Sequence, residues 1–75
     1  MAEDNEFGLY KIVYYGPDGD FSDGRLLFIE NLFNGERGTR YYGSVFSMKR
    51  VAGVGDVPVF DRRVVGVSED CLRKI

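Results

Sequence analysis

Residues 25–33, Arg25-Leu26-Leu27-Phe28-Ile29-Glu30-Asn31-Leu32-Phe33, decide the fold. On a helical wheel Leu26, Phe28, Ile29, Leu32 and Phe33 gather on one side, and Leu27 is the misfit. Ser22 or Asp23 would cap the start of such a helix and Asn34-Gly35 its end. Read as a strand, the stretch puts three apolar residues on each face, with a polar break at Glu30 and Asn31. Nine residues is short for a helix. The following Asn34-Gly35-Glu36-Arg37-Gly38 has the length and chemistry of a hairpin loop. The strand is the reading adopted; a helix over 23–34 would give β-α-β-β instead.

On the N-terminal side, Phe7 to Tyr15 (FGLYKIVYY) is rich in aromatic and β-branched residues and reads as a strand. Tyr10, Ile12 and Tyr14 would line one face, and Leu9, Lys11, Val13 and Tyr15 the other. Gly16-Pro17-Asp18-Gly19-Asp20 ends it, and Ser22-Asp23-Gly24 is a second turn signal. On the C-terminal side, Thr39 to Val51 reads as a long strand with a bulge or bend at Gly43. Ala52 to Asp56 is a connector. Val57 to Val67 is the next strand, interrupted at Asp61-Arg62-Arg63, and Pro58 puts its start at a sheet edge. Ser68-Glu69-Asp70 has the chemistry of a helix start, which would turn Leu72 and Ile75 toward the core. The expected fold is mostly β: a four-stranded antiparallel meander or half-open barrel with a short C-terminal helical turn. Residues 1–6 are expected to be a frayed acidic N-terminus, and 7–75 a single small domain.

Composition sets the outer limits. Seventy-five residues make one domain at most, and 44% hydrophobic with 15% aromatic is too apolar for a disordered tail. No segment approaches the roughly 20 apolar residues of a membrane-spanning helix. The chain has no His and one Cys, so it can form no internal disulfide and assemble no zinc cluster of Cys and His, and it has no imidazole general base. An acidic start without an apolar run, together with one unpaired thiol, points to the cytoplasm. Cys71 reads as a small buried hydrophobe.

The motifs offer little chemistry. Asp18 to Gly24 is rich in carboxylates, but an EF-hand loop starting at Asp18 would need its Gly and its Glu one residue earlier than Gly24 and Glu30. Gly53-Val54-Gly55 lacks the third Gly and the helix of a dinucleotide fingerprint. The serines have no His partner. No catalytic residue, cofactor or metal site is expected.

The informative set is basic and aromatic: Arg40, Tyr41, Tyr42, Lys49, Arg50, Arg62 and Arg63. Tyr and Arg dominate the energetic centres of protein interfaces, and Arg recognises carboxylates with a planar fork. Alternation would put Arg40, Tyr42 and Arg50 on one face with Phe46 and Met48, and would separate Arg62 from Arg63. Charge is also asymmetric: residues 1–36 carry eight acidic against two basic residues, and residues 37–75 eight basic against four acidic. The two halves could neutralise each other within one sheet, or present an acidic and a basic face. The expected function is a non-enzymatic module that occupies a surface of another protein, in the manner of an inhibitor or adaptor from a phage or mobile element. The alternative is a small nucleic-acid-binding β-domain using the second half, against which the net charge of −2 argues. A homo-oligomer is the third reading, because so short a chain builds a thin core.

Overall fold

Residues 25–33 fold as a strand. In a computed structural model, which describes residues 7–75, β2 runs from Arg25 to Gly35 inside a five-stranded antiparallel sheet. The other strands are β1 (Ile12–Tyr15), β3 (Gly38–Val51), β4 (Gly55–Ser68) and β5 (Leu72–Arg73), in the spatial order β4-β3-β2-β1-β5. The acidic segment 1–6 lies outside the described residues.

Leu27, which spoils the helical wheel, is fully buried together with Ile29, two positions along the same face. The polar break at Glu30 and Asn31 is a bulge: Ile29 pairs with Gly43 and Asn31 with Tyr42, leaving Glu30 unpaired in the ladder. The bulge resets the alternation, so that Leu32 returns to the core side opposite Tyr41. Gly43 is glycine because of this close approach. A Cβ there would lie 2.0 Å from the Phe28 carbonyl oxygen.

The buried face gathers Val13 and Tyr15 from β1, Leu27 and Ile29 from β2, Tyr41 and Val45 from β3, Val67 from β4 and Leu72 from β5. Phe7, Leu32, Val64 and Cys71 pack around this cluster. Each large aliphatic side chain buried there contributes about 1.5–3 kcal/mol. The sheet curls around this core as a half-barrel, with bulges that bend its long strands. On β4, Asp61 is the extra residue between the pairs Val45–Arg62 and Phe46–Phe60. Val65 and Gly66 form a second irregularity, where Gly66 has φ 66°.

Four expectations are corrected. The sheet has five strands, not four, because the chain after the 3-10 turn Glu69–Cys71 returns as β5 beside β1. The C-terminal turn is not capped by the Ser68 side chain, and Ile75 is exposed rather than core-facing. The first strand begins at Ile12: Gly8 to Tyr10 make a turn, with Lys11 N–H donating to the Gly8 carbonyl and Tyr10 at φ 64°. The Asp61-Arg62-Arg63 stretch does not interrupt β4, since a bulge absorbs it. Pro58 does lie on an edge strand, β4.

Candidate functional site

Strand register assembles the other, outer face of the sheet. Tyr14 pairs with Leu26, Leu26 with Phe46 and Phe46 with Phe60, so one row of apolar side chains crosses β1 to β4. The next row is Ile12, Phe28, Ser44 and Arg63. In the other direction along β3 and β4 come Met48 opposite Pro58, then Arg50 opposite Asp56. Side chains in these rows point the same way because strand residues alternate with a period of two.

Phe46 is the floor of this face. It is 5% exposed, beneath the 62% exposed Phe60 ring, with 5.4 Å between centroids. Tyr10 lies over Phe28 with centroids 6.2 Å apart, an arrangement that its left-handed backbone permits. Ile12, Phe28, Phe46, Met48, Pro58 and Phe60 together line an open groove of about 370 Å³. That is the lower end of the roughly 300–1,000 Å³ typical of ligand clefts. Every residue lining it is apolar.

Charged pairs bracket the groove. At one end Arg63 Nη2 lies 2.7 Å from Oε1 of Glu30, an ion contact without the alignment of a hydrogen bond. The Ser44 hydroxyl donates to the other carboxylate oxygen at 3.1 Å. At the opposite end Arg50 Nε donates to Asp56 at 2.9 Å. Both arginine side chains are largely exposed, at 72% for Arg63 and 79% for Arg50.

No protein-family model, curated protein or solved structure matches this chain. The site therefore rests on its own geometry.

Of the seven residues singled out in the sequence, Arg40, Tyr42, Arg50 and Arg63 fall on the outer face by register. Tyr41 does not: it is 3% exposed, inside the core, with Phe7 edge-on at 6.1 Å. Burial, reinforced by the negative charge of Glu69, pushes its phenol above the ordinary value, while a Thr39 side-chain hydrogen bond opposes the shift. Lys49 and Arg62 alternate to the other side of the sheet. There Arg62 and Arg25 share the carboxylate of Asp61, at 3.3 and 2.6 Å. The Glu30–Arg63 contact joins an acid of the first half to a base of the second, as the neutralisation reading expects, whereas Arg25–Asp61 joins the two halves with the charges reversed.

The groove residues that composition did not single out are Ile12, Phe28, Pro58 and Phe60. Their signal was present as apolar residues at even positions in β1, β2 and β4. Among the described residues, no group of three His, Cys, Asp or Glu side chains is placed to hold a metal, and no helix is long and apolar enough to cross a membrane.

Proposed function

We propose that this chain is a non-enzymatic cytoplasmic binding module, an inhibitor or adaptor, which acts by seating its outer sheet face on another protein. The observation that carries the reading is the apolar groove over Phe46, open to solvent and bracketed by Arg50 and Arg63. A buried apolar centre with an Arg-containing polar rim is the anatomy of a protein interface.

The β3–β4 arm supports the same reading. The pairing of β2 with β3 starts at Leu26 opposite Phe46, so Ser47–Val51 and Gly55–Val59 have only each other as ladder partners. A lone two-stranded hairpin is marginal in water, yet this one exposes Met48, Val54 and Val59. The Cα radius of gyration, 13.2 Å, exceeds the roughly 11.4 Å of a compact chain of this length, as expected for a sheet with a projecting arm. A partner seated on the groove would also cover the base of the arm.

A nucleic-acid reading is weaker on this face. Between Arg50 and Arg63 the face is wholly apolar, so the regularly spaced phosphates of a nucleic-acid strand would find nothing basic along the groove itself.

The test is capture from a lysate of the source cell by the immobilised full chain, with and without nuclease. A stoichiometric protein that survives nuclease, and is lost with Phe60→Ser and Met48→Ser but kept with Lys49→Ala, supports the reading. Capture indifferent to both outer-face substitutions, or carried entirely by nucleic acid, refutes it.

A further inference from the structure

The groove and its two arginines together define the chemistry of the occupant. Resting on the binding reading above, we infer that the groove takes a protein segment with bulky apolar side chains at its centre and a carboxylate near each end.

The ladder sets the spacing. Ser44, opposite Arg63, and Arg50 lie on the same face of β3, six residues apart. At about 3.3 Å per residue that separates the two charged rungs by about 20 Å. Between them sit only the apolar pairs Phe46–Phe60 and Met48–Pro58. A segment lying along β3 and β4 spans that distance in about six extended residues, or in about 13 helical ones at roughly 1.5 Å each.

Each guanidinium retains donors. Arg50 contacts Asp56 through Nε, which leaves its two terminal nitrogens, and Arg63 contacts Glu30 through Nη2, which leaves Nε and Nη1. An Arg fork already tethered by one carboxylate is held in place for a second, so less side-chain freedom is lost on binding.

Charge complementarity selects this occupant over a second copy of the chain. By register the outer face of β2, β3 and β4 carries Arg40, Arg50 and Arg63 against Glu30 and Asp56, one base in excess. A second copy would bring the same excess against it, whereas an acid-flanked segment complements it.

The experiment pans a displayed library of random 16-residue peptides on the immobilised full chain, then measures selected peptides by fluorescence polarisation. The expected enrichment is bulky apolar residues at the centre with Asp or Glu toward both ends. Phe60→Ser should weaken binding about ten-fold or more. The Arg50→Glu, Arg63→Glu double variant should lose the acidic peptides and accept versions with Lys at those positions. Circular dichroism of each variant separates lost binding from lost folding.

Enrichment of nothing, or of peptides without acids, overturns the inference, as does binding that survives the double reversal. So does sedimentation of the wild-type chain as a dimer that Phe60→Ser dissociates, because a second copy then fills the groove. Lysate capture that depends on Phe60 but ignores the arginine reversal would overturn this inference alone and leave the binding reading standing. Capture indifferent to Phe60 would remove both.

Discussion

Replacing Gly43 with Ala tests the whole arrangement through a single methyl group. The added Cβ would lie 2.0 Å from the Phe28 carbonyl oxygen and 3.0 Å from its carbon. Non-bonded carbon contacts are comfortable at about 3.5 Å, so the oxygen is too close by more than an ångström. Both atoms belong to the β2 backbone, and no side-chain rotation can relieve the clash. The strands must part at the bulge, at the point where Ile29 is fully buried beside them. Ordinary overpacking costs about 1–3 kcal/mol; a backbone clash at the centre of a sheet belongs at or above the top of that range. A chain of 75 residues has a total stability of roughly 4–11 kcal/mol at about 0.05–0.15 kcal/mol per residue. Gly43→Ala should therefore be largely unfolded or close to it. Gly35→Ala is the control: its nearest neighbour is the end of the Phe33 ring at 3.3 Å, which can swing away, and the change should stay within about 1 kcal/mol. Urea titration followed by far-ultraviolet circular dichroism and tyrosine fluorescence reads both. If Gly43→Ala lies within about 0.5 kcal/mol of the wild type with an unchanged slope, the Ile29–Gly43 juxtaposition is wrong. The bulge at Glu30 and the outward placing of Phe28 would fall with it.

Other substitutions probe the two faces separately. Leu27→Ala should cost about 2–5 kcal/mol and Leu26→Ala markedly less, because adjacent residues on β2 face a fully buried core and a half-open surface; equal losses in urea melts would refute the alternation. Phe60→Ser should change stability by less than about 1 kcal/mol while abolishing partner capture, since its ring is mostly exposed; a cooperative loss of fold in thermal melts would make Phe60 structural instead. Asp61→Ala removes the acceptor shared by Arg25 and Arg62 and should lower stability by up to about 1 kcal/mol, with the difference shrinking at high salt. Tyr41 makes stability depend on alkaline pH. Its folded phenol holds the proton above the ordinary 10.0, so the unfolded chain ionises first and stability, complete below about pH 10, declines as pH rises above it. Thermal melts from pH 8 to 11 should show that decline, and Tyr41→Phe should flatten it.

The strands were legible as apolar and aromatic runs and the bulges as breaks in them. Gly43, expected to mark a bulge or bend, adjoins a register shift on each side of β3, and the breaks at Glu30-Asn31 and Asp61-Arg62-Arg63 hold the extra residues Glu30 and Asp61. Ile12 to Tyr15 and Leu26 to Ile29 are apolar or aromatic on both faces, and the structure buries only the odd-numbered members of both. The same pattern hid β5: Leu72–Arg73 is two residues long, too short for any periodicity to register. It also overextended β1, because Leu9, Tyr10 and Lys11 carry strand-like side chains while the backbone at Tyr10 turns left-handed to lie against Ile29, donating to its carbonyl at 2.7 Å. The candidate site was half legible for a related reason. Alternation grouped Arg40, Tyr42 and Arg50 with Phe46 and Met48, and the register bears out that grouping. It could not say which side of β3 is closed, since Tyr41, Gly43 and Val45 on one side are hardly more apolar than Phe46 and Met48 on the other. Curl makes that choice, and curl comes from the extra residues at Glu30, Asp61 and Val65–Gly66; the first two show in the sequence as polar breaks, but a break does not give the direction of the bend. The bulge at Asp61 also joins architecture to site. By taking Asp61 out of the alternation, it keeps Arg62 turned inward to Asp61 while Phe60 and Arg63 both turn outward, so the ring that walls the groove and the guanidinium that flanks it share one face. Deleting Asp61 would set Phe60 and Arg62 side by side opposite Phe46 and Val45, so the ladder would close regularly with every side chain on its present face. A deletion of Asp61 that kept the sheet folded should therefore preserve both the core cluster and capture; capture lost from an intact fold would show that the bend made by the bulge, and not the facing of its side chains alone, builds the site.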